Sequence, residues 1–181
     1  MKILGIKLFD IGFSNFDPNL KDKINYVLVK DSYKINDYLY TTGELNAYPY
    51  DTPLSKKMVH YNNGKWEKDP IIDDLSLVIK SKDGLVLICG CCHSGLLNVC
   101  SYASKVFNTR ISTIIGGTHM LFFSKKEIEN IAKTLEEEFG KPKLYLNHCT
   151  RKKKIKQLEQ YFGDNIVQNM SVGTKLIVNL T

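Results

Sequence analysis

Three of the four histidines in this 181-residue chain, His93, His119 and His148, each stand just past an apolar run of strand character. Imidazole is the commonest metal ligand near neutral pH because it offers an uncharged nitrogen lone pair. Three protein ligands with one open position describe a catalytic zinc site. The histidines are 26 and 29 residues apart, close to the roughly 30 residues of one strand, helix and return. In an open sheet built from right-handed crossovers such strands run parallel, and their C-terminal ends share the edge where ligands bind. A lone histidine is more often a packing or capping residue, but three in equivalent positions of successive units are expected to converge on one metal-type site. His60 lies in a polar, irregular stretch and is expected to face solvent.

The elements that must position them are legible around each histidine. Leu75 to Lys80, a turn at Lys82 to Gly84 and the strand Leu85 to Gly90 read as a hairpin, and the second strand, apolar on both faces, reads as central. Leu96, Leu97, Val99, Cys100, Ala103, Val106 and Phe107 recur at helical spacing over residues 95–107. Ile111 to Ile115 is the next strand and leads to His119. Ser124 and Glu127 then form a capping box ahead of a helix that Gly140 and Pro142 stop. Lys143 to Asn147 leads to His148, followed by a helix over 152–162 and a closing strand over Thr174 to Asn179. Upstream, Ile24 to Val29 and Tyr38 to Thr42 read as strands, and Asn62, Asn63 and Gly64 as a turn. The chain thus reads as one α/β domain, 1–181, with an irregular β section at 1–72 and βα units at 73–181.

Other chemistry-bearing residues surround this frame. Asp73 and Asp74 precede a core strand and could orient a histidine as carboxylate acceptors, although a surface turn pair is the commoner role. Cys91, Cys92 and Cys149 adjoin the histidines as possible thiolates or nucleophiles. No pair has zinc-ribbon spacing, and the reading favoured for them is that of small apolar fillers. Thr150 could cap the last helix. The run Arg151 to Lys154 opposes that helix's dipole, a conflict that a bound anion would relieve, so Thr150 and Arg151 are candidate substrate contacts. Otherwise the run reads as a solvated face, without the interleaved aromatics of a nucleic-acid surface.

Composition narrows the class. Apolar residues make up 43% and charged residues 24%, an ordinary globular balance. Much of the net charge of +6 sits in Arg151 to Lys156, a local patch rather than a basic protein, which could meet phosphate or nucleic acid. No apolar run approaches the roughly 20 residues of a membrane span. The odd number of cysteines, five, argues for reduced thiols and a cytoplasmic location over a secreted disulfide framework.

Taken together, GLVLICGCCHSGLLNV, IIGGTHM, NHCT and VGTKLIV, with TTGEL and IIDDLSLVIK upstream, resemble the C-terminal part of metallo-β-lactamase-fold hydrolases. The subgroup is that related to the dihydropterin ribofuranosylaminobenzene phosphate synthases. The resemblance runs from about Tyr38 to the end. It implies a four-layer αββα sandwich and one or two metal ions, usually zinc, at the strand edge, with His93, His119 and His148 at the histidine positions of the C-terminal half. It also implies hydrolysis assisted by the metal.

The first-half motif of that fold, His-x-His-x-Asp-His, is absent from this sequence, Arg151 stands where the subgroup typically has glycine, and Cys92 where it has serine. Lacking the N-terminal half, the sheet would leave an apolar inner face uncovered, the mark of an interface. The expectation is therefore half of a divided enzyme that acts on a small, anionic substrate. It would pair with a second polypeptide or with another copy of itself, and its metal can be absent from the isolated chain. A non-catalytic binding or regulatory descendant and a pterin-related transferase are the alternatives.

Overall fold

The computed structural model describes residues 23–52 and 58–181, together with a short hairpin of β1 (Lys2–Ile3) and β2 (Ile6–Lys7). The main sheet is built from β3 (Tyr33–Lys34), β4 (Leu39–Thr41), β7 (Ser76–Ser81), β8 (Gly84–Cys89), β9 (Ile111–Gly116), β10 (Lys143–Leu146) and β11 (Val167–Asn169), in the spatial order β11-β10-β9-β8-β7-β4-β3. A separate hairpin, β5 (Val59–Asn62) and β6 (Lys65–Lys68), turns at Asn63 and Gly64. β8 is the middle strand of seven, as its two-sided apolar sequence requires. β7 joins it as an antiparallel hairpin, whereas β8, β9, β10 and β11 run parallel. Their C-terminal ends therefore lie along one edge.

Three helices connect and cover these strands: α1 (Leu96–Phe107), α2 (Lys125–Glu137) and α3 (Lys152–Phe162). The α2 start is the capping box read from the sequence, with the Ser124 hydroxyl accepting from the Glu127 N–H at 3.3 Å and the Glu127 carboxylate accepting from the Ser124 N–H at 2.6 Å. Strand register explains the two faces. Val78, Leu87, Ile114, Leu144 and Val167 are cross-strand neighbours, and none is more than 1% exposed. They pack with Val99, Ala103, Ile128, Ala132, Leu135, Ile155 and Leu158 of the helices. One residue along, Leu77, Ile88, Ile115 and Tyr145 form the row that points the other way. All four are only half-buried and lie outside the fully buried core. The arrangement is a mixed α/β layer pair, with helices on one side and a half-buried apolar sheet face on the other.

Several expectations differ from the structure at the chain's periphery. Residues 24–29 are not a strand: Leu28 is 92% exposed, and the apolar alternation there finds no strand to pair with among the described residues. A β-prone sequence without ladder hydrogen bonds stays irregular. The expected closing strand at 174–179 is also irregular, and it meets the sheet at a bridge from Leu180 to Ser81 and a bond from the Lys82 N–H to the Asn179 carbonyl. The parallel edge is instead formed by β11, whose polar sequence Val-Gln-Asn gave no periodic signal. Thr150 does not cap α3; Arg151 holds the N-cap position with no side-chain bond.

Candidate metal centre

Each histidine sits in a loop that leaves the end of a parallel strand. After β8 the chain passes through Cys91, Cys92 and His93 to the fully buried Ser94. Asp74, from the approach to β7, accepts from the Ser94 N–H at 2.9 Å and the Ser94 hydroxyl at 2.5 Å. Its bonds thus fix the loop that carries His93 rather than gripping an imidazole. Asp73 beside it is exposed. Asn98, fully buried in the first turn of α1, donates to the Ser94 carbonyl at 2.8 Å and to the Tyr50 carbonyl at 3.0 Å, and accepts from the Tyr50 N–H at 2.9 Å. The segment around Tyr50 is thereby clamped onto the same loop.

The loops after β9 and β10 are tied to each other. The Thr150 hydroxyl, wholly buried, accepts from the Thr118 N–H at 3.1 Å and meets the Thr118 hydroxyl at 2.9 Å. This sets His119 and His148, the neighbours of those threonines, on a common base. The Gly117 N–H donates to the Gly90 carbonyl at 3.2 Å. A Cβ at Gly117 would stand 2.5 Å from that carbonyl oxygen and 2.7 Å from Cys149 Sγ. Only glycine lets the three loops close this far.

His93 and His119 then meet edge to face with ring centroids 4.8 Å apart. A ring nitrogen of each and Cys91 Sγ all lie within 4.8 Å of one another. His148 also meets Cys91, its Nε2 at 3.1 Å from that sulfur, and Cys91, His148 and Cys149 form a second group with ligand atoms within 4.8 Å. His93 and His119 thus share one group while His148 falls in the other, and Cys91 is a member of both. Burial, reinforced by His93 and His148, pushes the His119 pKa down, which keeps a lone pair free. His119 Nδ1 is buried with no hydrogen-bond partner, an orphan that a bound cation would satisfy. Burial and the neighbouring Cys149 raise the Cys91 thiol to about 11.

Backbone strain concentrates here. Cys92, His119, His148 and Arg151 all have positive φ, four of the eight such non-glycine residues among those described. Strained conformations persist where surrounding structure over-determines them, and they cluster at functional sites. Arg151, at φ 65 and ψ 137, occupies a conformation suited to glycine. Arg151, Lys152 and Lys153 are exposed, whereas the Lys154 ammonium donates to the Phe123 carbonyl.

The cysteines divide in two. Cys89, Cys92 and Cys100 are buried in the core, of which only Cys92 was among the three expected to be fillers, and Cys92 is pushed up by Cys89 and by burial. Cys91 and Cys149 instead line the site, and adjacency could not have separated them, since the cysteine beside His93 is the core residue Cys92. His60, expected to face solvent, is half-buried in the β5–β6 hairpin, and its Nδ1 is buried without a partner. A cleft of about 400 Å³, lined by Ser81, Arg110, Lys141 and Asn179 among others, lies at the opposite end of the strands.

No family model matches the chain. A 7,8-dihydropterin-6-methyl-4-(β-D-ribofuranosyl)-aminobenzene-5′-phosphate synthase of Methanocaldococcus jannaschii is 24% identical over 129 residues, which cover 69% of this chain and 44% of that protein. An uncharacterized protein of the same organism is 28% identical over 155 residues, 82% of this chain and 56% of its own length. Among solved structures, a metal-dependent hydrolase of the β-lactamase superfamily superposes with a TM-score of 0.64 at 29% identity, over 76% of this chain and 52% of that one. The chain spans about half the length of these relatives. Strand order, the edge where the loops meet and these likenesses together make the chain a relative of the metallo-β-lactamase-fold hydrolases.

Proposed function

We propose that this chain is one half of a metal-dependent hydrolase, supplying His93, His119 and His148 as ligands and acting once a second polypeptide adds the rest of the site. The observation that carries the reading is the meeting of these histidines around Cys91 at the ends of three parallel strands. The donor set is imidazole and thiol, which suits zinc and its borderline neighbours better than magnesium or calcium. A divalent ion held there would acidify a water and polarise the group to be cleaved. The chain's own contribution is placement: Asp74 and Ser94 fix the His93 loop, the Thr118–Thr150 pair fixes the other two, and burial keeps the His119 imidazole neutral.

A further observation supports a second body over the sheet, which leaves Leu77, Ile88, Ile115 and Tyr145 half-covered on the face away from the helices. An apolar face of this kind is suited to a second sheet, carried by a partner or by another copy of the chain. Arg151 is exposed three residues beyond His148, which supports contact with an anionic substrate. The name of the 24%-identical synthase contains a phosphate ester, which favours a phosphate-bearing small molecule. Free thiols at Cys91 and Cys149 fit a reducing compartment such as the cytoplasm. Among the described residues no helix is long and apolar enough to cross a membrane.

Metal content of the purified chain, measured by inductively coupled plasma mass spectrometry on the wild type and on His93→Ala, His119→Ala and His148→Ala, tests the reading. Near-stoichiometric zinc, manganese or iron that each substitution diminishes is expected. A chain that takes up no added metal, stays a compact monomer by light scattering and recovers no partner on pull-down would overturn it.

A further inference from the structure

The hydrolase reading treats the three histidines as one ligand set, but the side chains fall into two groups that share Cys91. One holds Cys91, His93 and His119; the other holds Cys91, His148 and Cys149. The second group is a chemically complete set in its own right. Two sulfurs and one imidazole nitrogen with a fourth position open form a recognised zinc arrangement. In a tetrahedral zinc site with bonds of about 2.0 to 2.3 Å, ligand atoms stand roughly 3.3 to 3.8 Å apart. His148 Nε2 and Cys91 Sγ at 3.1 Å, within a trio spanning no more than 4.8 Å, lie within about 1.5 Å of those separations.

The backbone is built around these sulfurs. The His119 N–H points at Cys149 Sγ at 3.1 Å, and Cys149 Sγ lies 3.6 Å from the Cys91 carbonyl. The missing Cβ of Gly117 leaves the space that Cys149 Sγ occupies. His148 holds a positive φ of 50° at the place where its ring meets Cys91. The other three cysteines are buried in the core. Segregation of thiols into core fillers and a half-buried pair beside an imidazole is not what packing alone demands.

We propose that Cys91, Cys149 and His148 form a thiolate-bearing ion subsite that takes zinc or a similarly borderline divalent ion within this chain alone. It shares Cys91 with the His93–His119 group and needs no residue from a second polypeptide. Binding forms two metal–sulfur bonds and one metal–nitrogen bond, and the two thiol protons pass to solvent.

Cobalt(II) is the probe, added to the purified full chain under anaerobic conditions with a phosphine reductant. The expected result is a thiolate-to-cobalt charge-transfer absorption in the near ultraviolet, which zinc abolishes by competition. Cys91→Ser or Cys149→Ser should each remove roughly half of it, being one of two sulfur ligands, and His148→Ala should weaken it. His93→Ala should leave it standing, and this separates the subsite from the hydrolase reading, which predicts metal loss in His93→Ala. Circular dichroism checks that each variant folds. Should a serine variant fail to fold, alkylation of the wild type decides: zinc should protect Cys91 and Cys149 from iodoacetamide. Cobalt bound without sulfur absorption, no cobalt uptake at all, or Cys91 and Cys149 labelled equally with and without zinc would each overturn the proposal.

Discussion

Replacing Thr150 by valine tests whether the two buried threonines hold the site together. Valine keeps the shape and removes only the hydroxyl, which accepts from the Thr118 N–H at 3.1 Å and pairs with the Thr118 hydroxyl at 2.9 Å. Both residues are essentially inaccessible, at 0% and 1% exposed, so water cannot take over either bond. Two polar groups of Thr118 are left without partners, and each unsatisfied buried group costs about 1–3 kcal/mol. The expected destabilisation is therefore about 3 kcal/mol, a large part of the roughly 5–15 kcal/mol available to a folded domain. Thr118→Val should cost only about 1 kcal/mol, because the Thr150 hydroxyl still accepts the Thr118 N–H. In the double variant only that N–H is orphaned, so the cost should be about 2 kcal/mol, less than the two single costs combined. Urea unfolding of the four proteins, read at a common denaturant slope, measures this cycle. A Thr150→Val cost below about 0.5 kcal/mol, or a double variant that is simply additive, would refute the argument that this pair is the base on which His119 and His148 stand.

Two further perturbations follow from the same geometry. Arg151→Gly should relieve a strained positive φ worth about 1–3 kcal/mol while adding about 0.4–1 kcal/mol of unfolded-chain entropy, for a net gain of about 1 kcal/mol. Thermal unfolding should shift upward by about 2–4 °C, and an unchanged or lower midpoint would mean that the Arg151 side chain makes compensating contacts. For the α2 capping box, bonds from Ser124 hold the Glu127 carboxyl below its ordinary value of 4.5. Its folded pKa is depressed, so its contribution is complete above the ordinary value and disappears as pH falls through the folded one. Glu127 is largely solvent-exposed, which limits the effect to a few tenths of a kcal/mol. Glu127→Gln should thus be slightly less stable than wild type at neutral pH and indistinguishable from it near pH 2; a gap that persists in acid would contradict the assignment.

Short-range chemistry made much of this protein readable from its sequence alone. Apolar periodicity placed α1, α2, α3 and β7 to β10 within a residue or two. Ser124 and Glu127 marked the start of α2, and the βα spacing put His93, His119 and His148 at equivalent strand ends. These features depend on neighbours along the chain, so the chain carries them locally. Elements whose existence depends on a partner were misread. Residues 24–29 and 174–179 have strand-like composition but lack a ladder, while polar β11 is a strand because β10 offers it one. Ligand sets belong to the same class. Nothing in the spacing of Cys91 and Cys149, or of Thr118 and Thr150, shows that the members of each pair touch, because those contacts arise only when parallel β8, β9 and β10 bring their ends to one edge. The residue types in this site are a local property of the sequence, whereas the division of its cysteines between core and centre was decided by the tertiary fold, since only folding determines which sulfur faces an imidazole and which faces a leucine.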